Sequence, residues 1–325
     1  MTSENFRITF SAEVEMKNLT LKFAKDAGYV SERIQQLMNE QLYPDEEFED
    51  KDIEEIYKNA KYYHKAQHGL IRISKYVFSD TADLQRKCLN KHNINTEVVD
   101  YFYDFGLTGS SKPDAKIWYV NSASDKAFRT WGTNTKSQEV AMVQKMPLLH
   151  KVSLFLDSNI QPTVCFRNAN KIWTPSPILF EGVPLWLSTY TGELKYISWD
   201  HTCNIAAMMA PFGGNGAYTE TQILFLLTTL FAAFGGIVRR AQKDRCEYIE
   251  LHTSSWGCGN FRNNKELIYL SQIYAADVMG IKKIIFHKID EKSLQAALEK
   301  YSVIPDQFSF LDAVNHFTAL GFTWP

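Results

Sequence analysis

What this sequence lacks narrows it before any motif is read. It has no excess of positive charge: 35 Lys and Arg stand against 37 Asp and Glu, for a net charge of −2 and a sequence pI near 6.5. No cluster of Lys and Arg interleaved with aromatics offsets that balance, so the electrostatic footprint of a nucleic-acid binder is missing. The five cysteines, Cys88, Cys165, Cys203, Cys246 and Cys258, are odd in number, widely spaced and without a C-x-x-C pair. Neither a disulfide framework nor a zinc knuckle is expected, nor any metal or cofactor. A reducing intracellular compartment is the simplest expectation, compatible with delivery into another cell. Glu4, Arg7, Glu13 and Glu15 interrupt every early apolar run, so no export leader is expected. The longest apolar segment, Ile223 to Val238, holds two threonines and two glycines and falls short of the ~20 residues that a bilayer span needs. A buried helix is expected there, and no membrane span.

What is present is enough for a large core: 325 residues, 45% hydrophobic and 22% charged. Two units are expected. Residues 1–106 read as a mainly helical N-terminal unit, with Ser31 capping a helix that carries Ile34, Leu37 and Met38 on one face. The acidic run from Asp45 to Asp52 reads as a solvated loop, and Tyr62, Tyr63, His64 and His68 as packing and surface residues. The turn-rich segment Leu107-Thr-Gly-Ser-Ser-Lys-Pro113 marks a junction, and residues 107–325 read as an α/β domain with a mixed sheet between helices.

Within that domain, the stretch from Cys246 to His287 changes hydrophobic period twice. Cys246-Glu-Tyr-Ile-Glu-Leu-His252 alternates and predicts a strand with one face buried. Thr253-Ser-Ser-Trp-Gly-Cys-Gly-Asn-Phe261 is a tight loop. Asn263 and Glu266 then resemble a capping box, and Leu267, Leu270, Tyr274 and Val278 recur at helical spacing until Gly280. Ile281 to His287 is a second apolar run, so the unit is a parallel strand pair with a crossover helix. A second glycine loop, Pro211-Phe-Gly-Gly-Asn-Gly-Ala-Tyr218, follows the apolar strand Ile205 to Met209. It precedes a helix boxed by Thr219 and Gln222.

Helix N-termini behind glycine loops suit an anion, because unpaired N–H groups face the loop and glycine lets a ligand approach the backbone. For one Gly-x-Gly a plain turn is the better reading. Two such loops, with Gly213 and Gly214 in one and Gly257 and Gly259 in the other, favour a phosphate or diphosphate. The third glycine of a dinucleotide fingerprint is absent, Arg262 standing in its place. Ile117-Trp-Tyr-Val120 is a further apolar strand, ending in the polar loop Asn121-Ser-Ala-Ser-Asp125. Ligands collect at the carboxyl ends of strands in open α/β sheets, so this loop and the one at Trp256 can share a crevice. A helix from Lys136 to Met146 carries Gln138 and Glu139 in its first turn. The plainer reading of Glu139 is a partner for the helix dipole, worth ~0.3–1 kcal/mol. Two amphipathic helices, Leu294 to Tyr301 and Phe310 to Leu320, are expected to cover one face of the sheet.

Together, Val120-Asn-Ser-Ala-Ser124, Ser137-Gln-Glu139, Ala206 to Pro211 and Trp256-Gly-Cys-Gly-Asn-Phe261 resemble the microbial poly(ADP-ribose) glycohydrolase branch of the macrodomain family. The resemblance spans roughly Ala115 to His287. It implies a macrodomain-like fold that binds ADP-ribose or an ADP-ribosylated protein. Asn121 would face the distal ribose, Gly257, Cys258, Gly259 and Asn260 would cradle the diphosphate, and Phe261 would pack near the same ribose. Gln138, Gly213, Gly214 and Trp256 are further candidate ligand-binding residues. Gln138 and Glu139 match the first two residues of the family's Gln-Glu-Glu motif, but the third is Val140. Valine cannot protonate a leaving oxygen. The implied activity is therefore hydrolysis of single ADP-ribose groups from protein side chains, with arginine the candidate linkage, by an altered carboxylate arrangement. Glu139 and then Asp125 are the candidate catalytic residues, with Asp200 and Glu220 in reserve. The alternative in another class is a reader that binds ADP-ribose without cleaving it, and a third is a thiol hydrolase using Cys203 or Cys258 with His201 or His252.

Overall fold

The computed structural model describes residues 88–105, 112–124, 127–128, 137–146, 149, 177–185 and 201–325, together with the shorter stretches 19–23, 69–76, 165–167, 173–175, 187–188 and 195–196. In chain order the described strands are β1 (Leu19–Phe23), β2 (Gly69–Lys75), β3 (Cys88–Asn90), β4 (Asn95–Val99), β5 (Lys116–Ser122), β6 (Cys165–Arg167) and β7 (Trp173–Pro175). They continue with β8 (Ile178–Pro184), β9 (Leu187–Ser188), β10 (Lys195–Tyr196), β11 (Thr202–Met208), β12 (Ile249–Thr253), β13 (Lys283–His287) and β14 (Gln307–Ser309). The helices are α1 (Gln138–Lys145), α2 (Glu220–Lys243), α3 (Lys265–Val278), α4 (Glu291–Ser302) and α5 (Phe310–Ala319).

One eight-stranded mixed sheet organises the chain, in the order β1-β2-β8-β11-β5-β12-β13-β4. From β11 to β4 every pairing is parallel, and β8, β2 and β1 continue it antiparallel. The chain leaves β5 for β11 on one side, then crosses through α2 to β12 on the other. The order thus reverses around β5, and the carboxyl ends of β5, β11 and β12 lie side by side there.

Period two sets what each face holds. Trp118 and Val120 of β5, Ala206 and Met208 of β11 and Leu251 of β12 join α2, α3, α4 and α5 in one core. Tyr119, Ile205, Ala207 and Phe180 face the other way, onto Met142, Val143 and Met146 of α1. Each fully buried Leu, Ile, Phe or Met side chain contributes ~1.5–3 kcal/mol by leaving water. The helix ends follow local chemistry. Thr219 and Gln222 close both bonds of a capping box on α2. Beyond α3, Gly280 has φ +84°, Ile281 N–H donates to Ala276 and Gly280 N–H to Asp277. This is the 6→1 and 5→2 pair of a Schellman stop.

Several expectations change. The junction at 107–113 does not divide two sheets: β2 and β4 precede it yet pair with β8 and β13, which follow it, and β1 pairs with β2. Turn residues mark a loop there, and the polar run Asn95-Thr-Glu-Val-Val99 finds its partner in β13. The readings made for Ser31 to Met38, Asp45 to Asp52 and Tyr62 to His68 lie outside the described residues. Where residues before 106 are described, they form strands and their connections. The cap of α3 is Asn264, whose side chain accepts from Leu267 N–H, and not Asn263. Every residue of β12 is buried, so its alternation separates two interiors rather than core from solvent. Helices α4 and α5 pack on α3 and α2, helix on helix. The apolar helix α2, long and apolar enough to cross a membrane, lies in the core between the sheet and those helices.

Candidate functional site

At the carboxyl end of β5 the chain is held by α1. Gln138 uses both ends of its amide on β5: Oε1 accepts from Ser122 N–H at 2.8 Å, and Nε2 donates to the Val120 carbonyl at 2.6 Å. Its side chain therefore extends the sheet by one false strand residue. Glu139 is buried in the first turn of α1, and its Oε1 accepts from Phe128 N–H at 2.8 Å. Phe128 has φ +62° and is fully buried against Phe180, so the carboxylate fixes a strained turn. Val140 points into the core under the same helix.

Asn121 itself is fully buried. Its Nδ2 contacts only Met142 Sδ, at 3.5 Å, and its Oδ1 has no hydrogen-bond partner among the described residues. A buried amide oxygen without a donor costs ~1–3 kcal/mol, which a ligand hydroxyl or a bound water would recover.

The two glycine loops follow β11 and β12, the strands that flank β5. Trp256 is a core residue rather than a lining one: it is fully buried, and its Nε1 donates to the Met208 carbonyl at 2.9 Å. Gly257 has φ +72°, and a Cβ there would lie 2.2 Å from Ala210 Cβ. This glycine lets the loop after β12 close over the end of β11. Gly259 is different, for a Cβ there would meet nothing and the residue is exposed. Gly214 is turned toward its own chain, since a Cβ would fall 1.8 Å from the Trp324 ring. Gly213, at φ +71°, faces open space. The loops meet through Phe212 and Phe261, whose ring centroids are 5.5 Å apart, Phe212 being 60% exposed. The backbone N–H groups of Gly257, Gly259, Asn260 and Phe261 donate to no acceptor among the described residues, while those of Cys258, Arg262 and Asn263 are used within the loop. Four open donors on one turn are the backbone arrangement that an anion requires.

The thiol reading loses its basis. Burial pushes the Cys258 thiol up to about 12 and, with the nearby Asp104, pushes Cys203 higher still. Neither histidine serves a thiol: His201 Nε2 contacts the Phe105 carbonyl, and His252 lies between Glu250 and His287. Among the described residues no group of three His, Cys, Asp or Glu is placed to hold a metal. Asp125 and Asp200 lie outside the described residues, and Glu220 is exposed in the first turn of α2.

Sequence reasoning passed over Tyr103. Its hydroxyl donates to the Val120 carbonyl at 3.0 Å, beside Gln138, Thr253 and Ser254 at the ends of β5 and β12. Burial drives its pKa upward, so it stays a neutral donor. The alternating aromatics Tyr101, Tyr103 and Phe105 were the available signal.

With this geometry in view, the chain can be set beside known proteins. No family model matches it, and no curated protein does. Solved structures do show likeness of fold. The poly(ADP-ribose) glycohydrolase of Thermomonospora curvata is 16% identical over 70% of this chain and 85% of its own, with a TM-score of 0.48. The enzyme of that name from Deinococcus radiodurans, in complex with ADP-ribose, is 16% identical over 70% of this chain and 93% of its own, with a TM-score of 0.47. A macrodomain of Oceanobacillus iheyensis with ADP is 11% identical over 65% of this chain and 94% of its own, with a TM-score of 0.38.

Proposed function

We propose that the carboxyl edge of the sheet binds ADP-ribose, and that the chain hydrolyses the bond joining a single ADP-ribose group to a protein side chain. One observation carries the binding: the unpartnered Asn121 Oδ1 ends the central strand beside a glycine loop with four open N–H donors. The first suits a ribose hydroxyl, the second a diphosphate. In cleavage, the bond from the anomeric carbon to the side-chain nitrogen breaks and water adds at that carbon. The leaving group takes up a proton. A charged guanidinium leaves with little help from an acid, so the main demand is to orient water and sugar. Glu139 is the candidate for that role, with Asp125 second.

Binding without cleavage is the second reading, and Glu139 favours it as it stands, buried with an oxygen committed to Phe128 N–H. Calorimetric titration with free ADP-ribose tests the binding, beside Gly259→Glu, which introduces a carboxylate where there is room for it. Saturable binding lost in the variant is expected; no binding by the wild-type chain overturns the proposal. Release of ADP-ribose from arginine-modified protein tests the cleavage. Glu139→Gln can still accept from Phe128 N–H, so it is expected to bind and not release. Undiminished release would remove Glu139 from the reaction, and none from the wild type would leave a reader.

A further inference from the structure

The segment Gly321–Trp324 lies more than a hundred residues from the first glycine loop, yet it is that loop's main support. Ala217 and Thr323 form an antiparallel bridge, Tyr218 N–H donates to the Phe322 carbonyl at 2.9 Å, and Trp324 N–H donates to Gly216 at 2.8 Å. The Trp324 ring stacks on Tyr218 with centroids 4.4 Å apart at 13°, lies against the bare Cα of Gly214, and donates from Nε1 to Gln222 Oε1 at 3.4 Å. Tyr218 then carries the contact to the second loop. Its hydroxyl donates to Asn263 Oδ1 at 3.1 Å and accepts from Asn264 N–H at 2.9 Å. Asn263 in turn donates to the Pro211 carbonyl at 2.7 Å and the Gly257 carbonyl at 2.9 Å, one from each loop. Asn264 Nδ2 returns to the Thr323 carbonyl at 3.1 Å, closing the circuit.

We propose that Gly321–Trp324 is a strap that fixes the spacing of the two glycine loops, with Trp324 and Tyr218 as positioning residues for the crevice between them. The circuit uses side chains where the loops have few bonds of their own. Loop 212–217 gives no N–H to any acceptor among the described residues. The three atoms nearest a Cβ built at Gly214 all belong to the Trp324 ring. Stacking and the Tyr218 hydroxyl are separable: the ring holds the first loop, and the hydroxyl transmits that order to Asn263 and to the loop at Gly257.

That the loops bind ADP-ribose rests on the function proposed above, but the strap can be tested without a ligand. Native-state hydrogen exchange on the full chain compares Trp324→Ala, Trp324→Phe and Tyr218→Phe. Trp324→Ala should speed exchange of the bonded amides of both loops, Tyr218 in the first and Cys258, Arg262 and Asn263 in the second, by roughly tenfold or more, with β5 and α2 unchanged. Trp324→Phe keeps a stack and should restore both loops. Tyr218→Phe should speed Cys258, Arg262 and Asn263 and leave the amide of residue 218 nearly as protected as before. Uniform acceleration in Trp324→Ala would show a merely structural residue and overturn the strap, as would equal loosening of both loops in Tyr218→Phe. Titration with ADP-ribose separates the two proposals: weaker binding in Trp324→Ala than in wild type supports both, and equal affinity overturns the strap. If wild type binds nothing, the functional reading falls and the exchange pattern alone decides the strap.

Discussion

Leu251 and Glu250 are neighbours on β12, and both are buried, by opposite chemistry. Ile249 and Leu251 enter the helix-covered core among side chains that need no partners. Glu250 and His252 face a polar interior under the segment 101–105. Glu250 Oε1 meets His252 Nε2 at 3.0 Å, His252 Nδ1 meets His287 Nε2 at 2.8 Å, and His287 Nδ1 meets the Tyr101 carbonyl at 3.0 Å. Tyr119 and Tyr103 pack their rings on these imidazoles. The Tyr101 carbonyl cannot donate, so the His287 nitrogen that faces it carries a proton. Glu250 also faces Lys283 Nζ at 3.9 Å, so the row and that lysine meet at one carboxylate. An apolar face is assembled from independent parts; this face is not.

Removing one part from each face should expose that difference. Glu250→Ala takes a carboxylate partner from His252 and Lys283 in the interior and should cost ~3–5 kcal/mol. Leu251→Ala leaves a cavity and should cost ~2–5 kcal/mol. Urea unfolding across pH tells them apart: against the lowering by burial, Glu97 and Glu250 raise the pKa of Lys283, so the cost of Glu250→Ala should shrink in alkali as Lys283 gives up its proton, whereas that of Leu251→Ala stays flat. Parallel curves would mean that the row is packing and nothing more.

Acid supplies the next test, of somewhat smaller size. Burial, and then the charge at His252, lowers the pKa of His287 from 6.5 to about 4. Between these values the unfolded chain binds a proton that the native chain refuses, so stability rises with pH there. It is fully present above pH 6.5 and lost as pH falls toward 4, by roughly 3 kcal/mol at most, since each unit is worth about 1.4 kcal/mol. In His287→Phe that limb of the stability curve should flatten. An unchanged slope would place the acid-sensitive group elsewhere.

The two faces also differ in how far the sequence announces them. Leu267, Leu270, Tyr274 and Val278 at helical spacing, and the Thr219–Gln222 box, are local signals, and they point to helices that the structure has. The polar face depends on long-range partners. Nothing near Glu250 in sequence indicates that residues 101–105 will cover it, so Cys246–His252 reads as a strand with a wet side. The loop motifs show a similar split. Gly257 and Gly259 look equivalent in Trp-Gly-Cys-Gly, but Ala210, just past the end of β11, makes the first a packing necessity. Gly214 looks like a phosphate glycine until Trp324 is seen against it. Gln138 and Glu139 are correctly picked out as a pair at a helix start, and their bonds to Ser122, Val120 and Phe128 depend on how α1 meets β5.

Asn121 sits where the polar face reaches the crevice, and it offers the smallest change in stability with the most to say about function. Its Oδ1 is buried and unpartnered, so the native state already bears the cost of that atom. Asn121→Leu removes the orphan while nearly preserving volume, and should leave stability within about 1 kcal/mol of wild type or raise it. That contrasts with Glu250→Ala, a polar loss on the neighbouring strand β12 that breaks a satisfied set. If the orphan oxygen awaits a ribose hydroxyl, the same variant should lose ADP-ribose binding despite its intact fold. Calorimetry beside urea unfolding reads both quantities. Stability kept with affinity lost makes Asn121 a ligand residue held at a cost. Stability lost by several kcal/mol would mean that the amide supports the fold after all, and its open oxygen could no longer be counted as part of the binding site.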